Sequence, residues 1–412
     1  MDPIPAFFLS LALGSLLIAR VRLSPFLGLV MAAYLHGLLT GMPDVTDQVS
    51  QGLGRIFSAL SLVIFSGAVI AEHLRQSGAI DRIVSDLNQV AGGRGTLASG
   101  VSGYLLSLPV MCCITSYIIL EPVVGSLQGD KSRNRFALAV ASVISFVLVY
   151  PSPAVLAGSA SLGVAPLDAL RLGLPLSLVL LALSLLYMRW LFKGEATRAA
   201  PCPATSPERR AGTIASSRVA AWSPIALPLS LILLGLFAST GPLRMIGDPR
   251  MALLIGAILS LAFSGGQRQG VVMKASRRAG IILLDLCGAG ALGQVVASSG
   301  MGEAFLDATG GFPLLLIPFA LAALIQLAQG SRVVTVTVAA GMLEGYPLDP
   351  EITLMLISSG AFVLSYLTDP YFWLVKETTG AGLREAFLGY TLPLTLLGLA
   401  SLGMIAIVEA FI

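Results

Sequence analysis

The sequence predicts an all-α polytopic membrane protein made of two inverted repeats of five transmembrane helices. Each repeat carries a re-entrant helical hairpin and a broken helix. Three observations predict this. Only 11% of the 412 residues are charged and 56% are hydrophobic, with a mean hydropathy of +0.87, whereas a soluble domain carries roughly 25% charged residues. The apolar residues fall into runs of membrane-spanning length. Two further runs are too long for one crossing and are interrupted midway by polar or small residues.

From the N-terminus, the run IPAFFLSLALGSLLIA lacks the basic segment of a cleaved signal and reads as a span. The first repeat, 1–193, holds spans at about 5–20, 24–42, 55–74, 135–156 and 172–192. The second, 223–412, holds spans at about 223–240, 250–266, 279–299, 353–376 and 387–410. Residues 96–127 and 311–342 are the over-long runs, with centres reading VMCCITSY and AQGSRVVTVT. A straight crossing needs only about 20 residues. Both therefore read as hairpins that enter and leave on one side, with tips buried in protein or lining a cavity, because bare backbone is costly at that depth. Residues 194–222, rich in Ala, Pro, Ser, Thr and Arg, read as a cytoplasmic linker flanked by Trp190 and Trp222 as interfacial anchors.

The distribution of cations supports this drawing. With both termini outside, all but five of the 25 Lys and Arg residues fall on inside segments; Arg55, Arg171, Arg244 and Arg250 lie outside, and Arg332 lies in the second hairpin. Drawing either hairpin as a simple span would invert every later loop and spoil the positive-inside bias.

Three short matches recur in the same order in both halves. GAVIAEHLRQSGAIDRI at 67–83 resembles AGALGQVVASSGMGEAF at 289–305, a hairpin follows each, and FVLVY at 146–150 answers FVLSY at 362–366. Five spans per half is an odd number, so the second half lies upside down relative to the first, a plan found in secondary transporters.

Both broken helices open at proline: Pro151 and Pro153 in the first, Pro370 in the second. The freed amides and half-helix N-termini favour anions. The hairpin tips add Gly330-Ser331 on one side and the hydroxyls of Thr115-Ser116 on the other. Ionisable residues at bilayer depth cost at least about 2.5–3.5 kcal/mol, so each needs a reason. Asp369, at the second break, takes a proton, coordinates a cation, holds a substrate hydroxyl, or caps the following half-helix. Arg332 grips a carboxylate or neutralises Asp369 or Glu121. Glu121 is a proton carrier or faces the cytoplasmic edge. Asp285 pairs with Arg277 or Arg278, and His36 has a hydrogen-bonded packing role.

Four cysteines and two histidines give no zinc or redox spacing and no metal cluster, and no Ser/His/Asp set is present. The residues point away from an enzyme, and no cofactor is implied.

On these residues the chain resembles the gluconate permease family of proton-coupled symporters, within the ion transporter superfamily, over nearly its whole length. The carriers are TDPYFWLVKE at 368–377, similar to the family's Asn-Asp-Pro-Gly-Phe-Trp-Leu-Phe-Lys-Glu, and LAQGSRVVTVTVAAG at 327–341, similar to its Gly-Ser-Ala-Thr stretch. The GMP of 41–43 with residues 67–83 supports them. Departures are Cys112-Cys113-Ile114 in place of Phe-Tyr-Glu, Tyr150-Pro151-Ser152-Pro153 in place of His-Pro-Gly-Pro, Thr368 and Tyr371 beside Asp369, and Gln326 in place of an Arg. The resemblance implies import of sugar acids or related hydroxy-carboxylates with protons across the bacterial inner membrane, by an elevator motion against a dimeric scaffold.

Together these give an expected pocket of Thr115, Ser116, Tyr150 and Ser152 from one half and Gly330, Ser331, Arg332, Thr335, Thr368 and Asp369 from the other. Arg332 binds the carboxylate, and Asp369 or Glu121 carries the coupling proton. The expected partners are a small anionic carboxylate, the lipid bilayer and a second copy of the chain, with no nucleic acid. Coupling to Na⁺ through hairpin carbonyls is the alternative with the same fold; a membrane scaffold or a channel is the alternative of another class.

Overall fold

The computed structural model describes residues 1–20, 23–192, 218–237, 241–308, 311–366 and 368–410, and among these it contains helices and connections but no strand. The first half runs α1 (Pro3–Arg20), α2 (Pro25–Thr40), α3 (Val45–Ser77), α4 (Ala79–Val90), α5 (Gly95–Val110), α6 (Cys113–Val124), α7 (Lys131–Leu148), α8 (Pro153–Leu162) and α9 (Pro166–Leu191). The second half runs α10 (Arg218–Phe237), α11 (Pro242–Ile246), α12 (Pro249–Phe263), α13 (Arg268–Ser298), α14 (Met301–Ala308), α15 (Leu316–Gln329) and α16 (Arg332–Met342). It ends with α17 (Pro350–Gly360), α18 (Pro370–Thr379), α19 (Leu383–Ala386), a π-turn at Phe387–Thr391 and α20 (Leu392–Ala410). Among the described residues, six segments are long and apolar enough to cross a membrane: 45–77, 131–162, 166–191, 218–236, 265–298 and 383–410.

Helix starts follow local chemistry. Proline opens α2, α8, α9, α12, α17 and α18, where its missing N–H costs nothing and its φ is already helical. Several of these carry a side-chain cap just before the proline: Ser24 on Leu27 N–H, Ser152 on Val155 N–H, and Asp369 on Tyr371 N–H.

The order of elements in the first half recurs in the second. A helix pair (α1 and α2, or α10 and α12 with the short α11 between them) is followed by a long helix (α3 or α13), a short one (α4 or α14), a hairpin pair (α5–α6 or α15–α16), a broken pair (α7–α8 or α17–α18) and a closing helix (α9 or α20). The most extensive helix contact is α3 against α13. A close approach makes it possible: a Cβ on Gly52 would strike the carbonyl oxygen of Gly290, and one on Gly290 would strike Ile56.

The broken pairs sit at the centre. Every residue of α7 from Phe136 to Leu148 is buried, and so is every residue of α17 from Ile352 to Gly360. A helix apolar all round belongs inside protein. The first break, 149–152, is buried throughout, whereas the second keeps Ser365 and Asp369 buried but exposes Leu364, Thr368 and Pro370.

Three sequence expectations are corrected. The tip of the first hairpin is not Thr115-Ser116: the chain turns at Met111 (φ +56°) and Cys112, so Thr115 and Ser116 lie in the first turn of α6. The second break is longer than one Asp-Pro step, since 361–369 separates α17 from α18. Most of the expected linker, 193–217, lies outside the described residues, but 218–222 already belong to α10. There Trp222 is not a simple interfacial anchor, because its Nε1–H donates to Asp86 of α4 at 3.1 Å.

Candidate functional site

The second hairpin turns at Gly330, whose φ of +67° is left-handed, and a Cβ there would collide with the carbonyl oxygen of Thr368. Glycine thus lets the tip press its backbone onto the second break. The hydroxyl of Thr368 completes the contact by donating to the carbonyl of Leu327 at 2.9 Å. Hairpin α15–α16 and break 361–369 meet as one backbone unit.

Arg332 is the first residue of α16, just beyond that tip, and Asp369 is the N-cap of α18. Arg332 Nη2 lies 2.8 Å from Asp369 Oδ2, while Asp369 Oδ1 accepts from Tyr371 N–H at 2.9 Å. Arg332 Nη2 also lies 2.9 Å from Ser365 Oγ and 2.9 Å from Tyr390 OH. Tyr390 OH in turn donates to Asp369 Oδ2 at 3.0 Å. One Nη carries two hydrogens, so three acceptors share them, whereas Arg332 Nε has no partner although it is buried. Side-chain exposure is 4% for Arg332 and 1% for Asp369. Such a pair stands on balanced charge: together the two groups are tolerable, but either one alone is a buried, uncompensated ion.

Tyr390 comes from the π-turn Phe387–Thr391, an irregularity that recurs at functional positions and here re-aims one side chain inward. Its ring lies under Arg332, 5.9 Å from Cζ, and meets Tyr371 edge to face at 5.5 Å. Tyr371 meets Tyr117 of α6 in the same way at 5.5 Å, and its hydroxyl shares a 2.8 Å hydrogen bond with Ser142 of α7. The first hairpin therefore abuts the second break.

The expected residues divide into those that gather and those that do not. Gly330, Ser331, Arg332, Thr368 and Asp369 lie together. Thr335 is one turn up α16, with its hydroxyl donating to Gln326 Oε1 at 2.9 Å, while Gln326 Nε2 is buried without a partner. Ser116 turns away to the carbonyl of Leu106 at 3.0 Å, and Thr115 is buried beside it. Ser152 is spent on capping α8. Tyr150 lines a different cavity, of about 280 Å³, together with Asp248 and Arg250. Glu121 pairs with Arg135 of α7, outside the cluster.

Two other membrane charges have local explanations. Asp285 pairs with neither Arg277 nor Arg278; its Oδ1 accepts from Phe26 N–H at 3.1 Å and so caps the start of α2 from α13. His36 Nε2 shares a 2.9 Å bond with Ser299 Oγ. Among the described residues no group of three or more metal-ligating side chains is found.

The sequence analysis missed Ser365, Tyr390 and Ser142, and it named Tyr371 and Gln326 only as departures from the family, outside the expected pocket. The usable signal was the tyrosine in an apolar run such as AFLGYT (386–391), since a buried tyrosine hydroxyl needs a partner.

Comparison with known proteins agrees with this architecture. Residues 4–411 match the family described as GntP family permease. The low-affinity gluconate transporter of Escherichia coli K12 is 28% identical over 432 residues, covering 95% of each chain. The D-serine transporter DsdX of Escherichia coli O6:H1 is 26% identical over 424 residues, covering 94% of each. Among solved structures, the Alcanivorax borkumensis YdaH transporter superposes with a TM-score of 0.61 at 18% identity, covering 91% of this chain and 89% of that one.

Proposed function

Because the chain belongs to the GntP permease family, and is thus a multi-pass membrane permease rather than an enzyme, we propose that it imports a small carboxylate together with a proton. The observation that carries this reading is the buried Arg332–Asp369 pair where hairpin tip meets break. As found, the guanidinium is neutralised by Asp369. A proton on Asp369 removes that counter-charge and leaves Arg332 ready for a substrate carboxylate. Proton and anion then favour each other's binding, which is the thermodynamic content of coupling. One proton with one monovalent anion carries no net charge.

The names of two relatives support the substrate class. Gluconate and D-serine, after which two of them are named, share a carboxylate and at least one hydroxyl. Arg332 suits the first, and Thr335, Thr368 and Ser331 supply partners for the second.

The motion fits the architecture. The two halves form inverted repeats, with hairpins α5–α6 and α15–α16 re-entrant and both termini outside the bacterial inner membrane. Hairpins and broken helices travel as one elevator unit against a dimeric scaffold formed around α2 and α12. Coupling to Na⁺ is the rival within the same fold.

Counterflow in proteoliposomes tests the solute class. Gluconate, other sugar acids, D-serine and neutral polyols are preloaded in turn, and uptake of the labelled solute is read. Carboxylates should trans-stimulate and polyols should not; stimulation by polyols alone would overturn the reading.

A further inference from the structure

On the face that the cation pattern assigns to the outside, two cavities meet at one ion pair. The inner, of about 280 Å³, reaches Tyr150 at the first break, and Ser159 of α8 also lines it. The outer, of about 570 Å³, is lined by Arg244 among others. Asp248 and Arg250 line both. The pair is bidentate, with Arg250 Nε and Nη2 each 3.1 Å from a carboxylate oxygen of Asp248. It is also half open to solvent, with side-chain exposures of 52% and 35%.

The inner cavity is short of partners. Ser159 is 8% exposed and its buried Oγ has no hydrogen-bond partner. A buried hydroxyl left unmatched costs about 1–3 kcal/mol, a cost that a polar guest removes. Arg250, which already holds a carboxylate on its fork, lines both cavities and so offers an anion a ready bidentate partner.

We infer that Arg250 is an outer carboxylate-binding subsite, in which the incoming anion displaces Asp248 from the guanidinium and its hydroxyls bond to Tyr150 and Ser159 before it moves inward. This rests on the carboxylate reading above. The exchange is isosteric, carboxylate for carboxylate on the same fork, so little desolvation is required. A pair that served only to cap α12 would need neither cavity nor the unmatched hydroxyl.

Two measurements on the full-length protein test it. In proteoliposomes, Arg250→Gln should raise the KM for gluconate about tenfold with Vmax within twofold, Tyr150→Phe should raise it severalfold, and Arg250→Lys should recover part of the loss. An unchanged KM in Arg250→Gln, or a fall in Vmax alone, overturns the subsite and leaves a helix cap. The second readout needs no transport. In the double variant Arg332→Met/Asp369→Leu, whose inner centre cannot hold an anion, gluconate should still raise Tm, and adding Arg250→Gln should abolish the rise. No rise in the double variant overturns the subsite. Failure of the wild type to transport gluconate while this rise persists would count against the transport reading and not against the subsite.

Discussion

Arg332 and Asp369 are joined at 2.8 Å inside the protein, across a sequence separation of 37 residues, and only hairpin tip and helix break together make that contact. The pair is balanced charge in a buried site. Replacing one partner strands the other, which costs about 3–5 kcal/mol, whereas replacing both with apolar residues of similar size is often neutral. Arg332→Ala and Asp369→Asn should each lower Tm in detergent sharply, and Arg332→Met/Asp369→Leu should recover most of the loss while remaining unable to transport. Equal destabilisation of single and double variants would show that the ion pair is not what holds tip and break together.

Gly330 is the second test. A side chain there meets both a left-handed φ and the carbonyl of Thr368, and the left-handed conformation alone costs a non-glycine residue roughly 1–2 kcal/mol. Gly330→Ala should prise the tip from the break and cut the uptake rate at least tenfold. Uptake above half the wild-type rate would mean that this contact is not required.

Tyr390 serves both charges at once. Tyr390→Phe keeps the ring beside Tyr371 but withdraws a hydroxyl from Arg332 and Asp369, at a cost of about 1–3 kcal/mol. Ser365→Ala removes an acceptor that shares Nη2 and a long 3.4 Å bond to the carbonyl of Phe362, so its fall in Tm should be the smaller. The reverse ranking in thermal unfolding would assign the supporting role to Ser365.

A fourth prediction concerns the junction of the halves. Arg218 and Trp222 of α10 clasp Asp86 of α4 at 3.1 Å each, with Arg82 also beside it. Burial pushes the Asp86 carboxyl up, but hydrogen bonds from Trp222 and Arg218 outweigh it and hold the group below its ordinary value. A depressed folded value means that the clasp stabilises above the unfolded carboxylate pKa of about 3.9 and is lost as pH falls through the folded one. Asp86→Asn should therefore lower Tm at pH 7 and leave it equal to wild type at low pH. A gap in Tm that is the same at pH 3 and pH 7 would contradict this.

Local chemistry was legible and distant partnership was not. Pro153 and Pro370 announced where α8 and α18 begin, and Gly330-Ser331 announced the second turn, because proline and glycine act on their own backbone. The first turn carries no such residue: Met111 adopts a positive φ under packing, so the hydroxyls of Thr115 and Ser116 drew attention instead. Arg332 and Asp369 stood out because charge in an apolar chain is conspicuous. That they pair with each other stayed one option among several, since spacing along the chain does not report contact across helices. Tyr390 gave a weaker sign, a tyrosine in an apolar run, but neither its partners nor the π-turn that carries it can be read from FLGYT (387–391).

The measurement that bears most directly on coupled import is gluconate accumulation in proteoliposomes, with an inward proton gradient, an inward sodium gradient or neither, in wild type and Asp369→Asn. Accumulation driven by the proton gradient, insensitive to a potassium–valinomycin potential and lost in Asp369→Asn, is the predicted result. Accumulation that follows sodium, or that survives in Asp369→Asn, would contradict the account of Asp369 as the proton's seat beside Arg332.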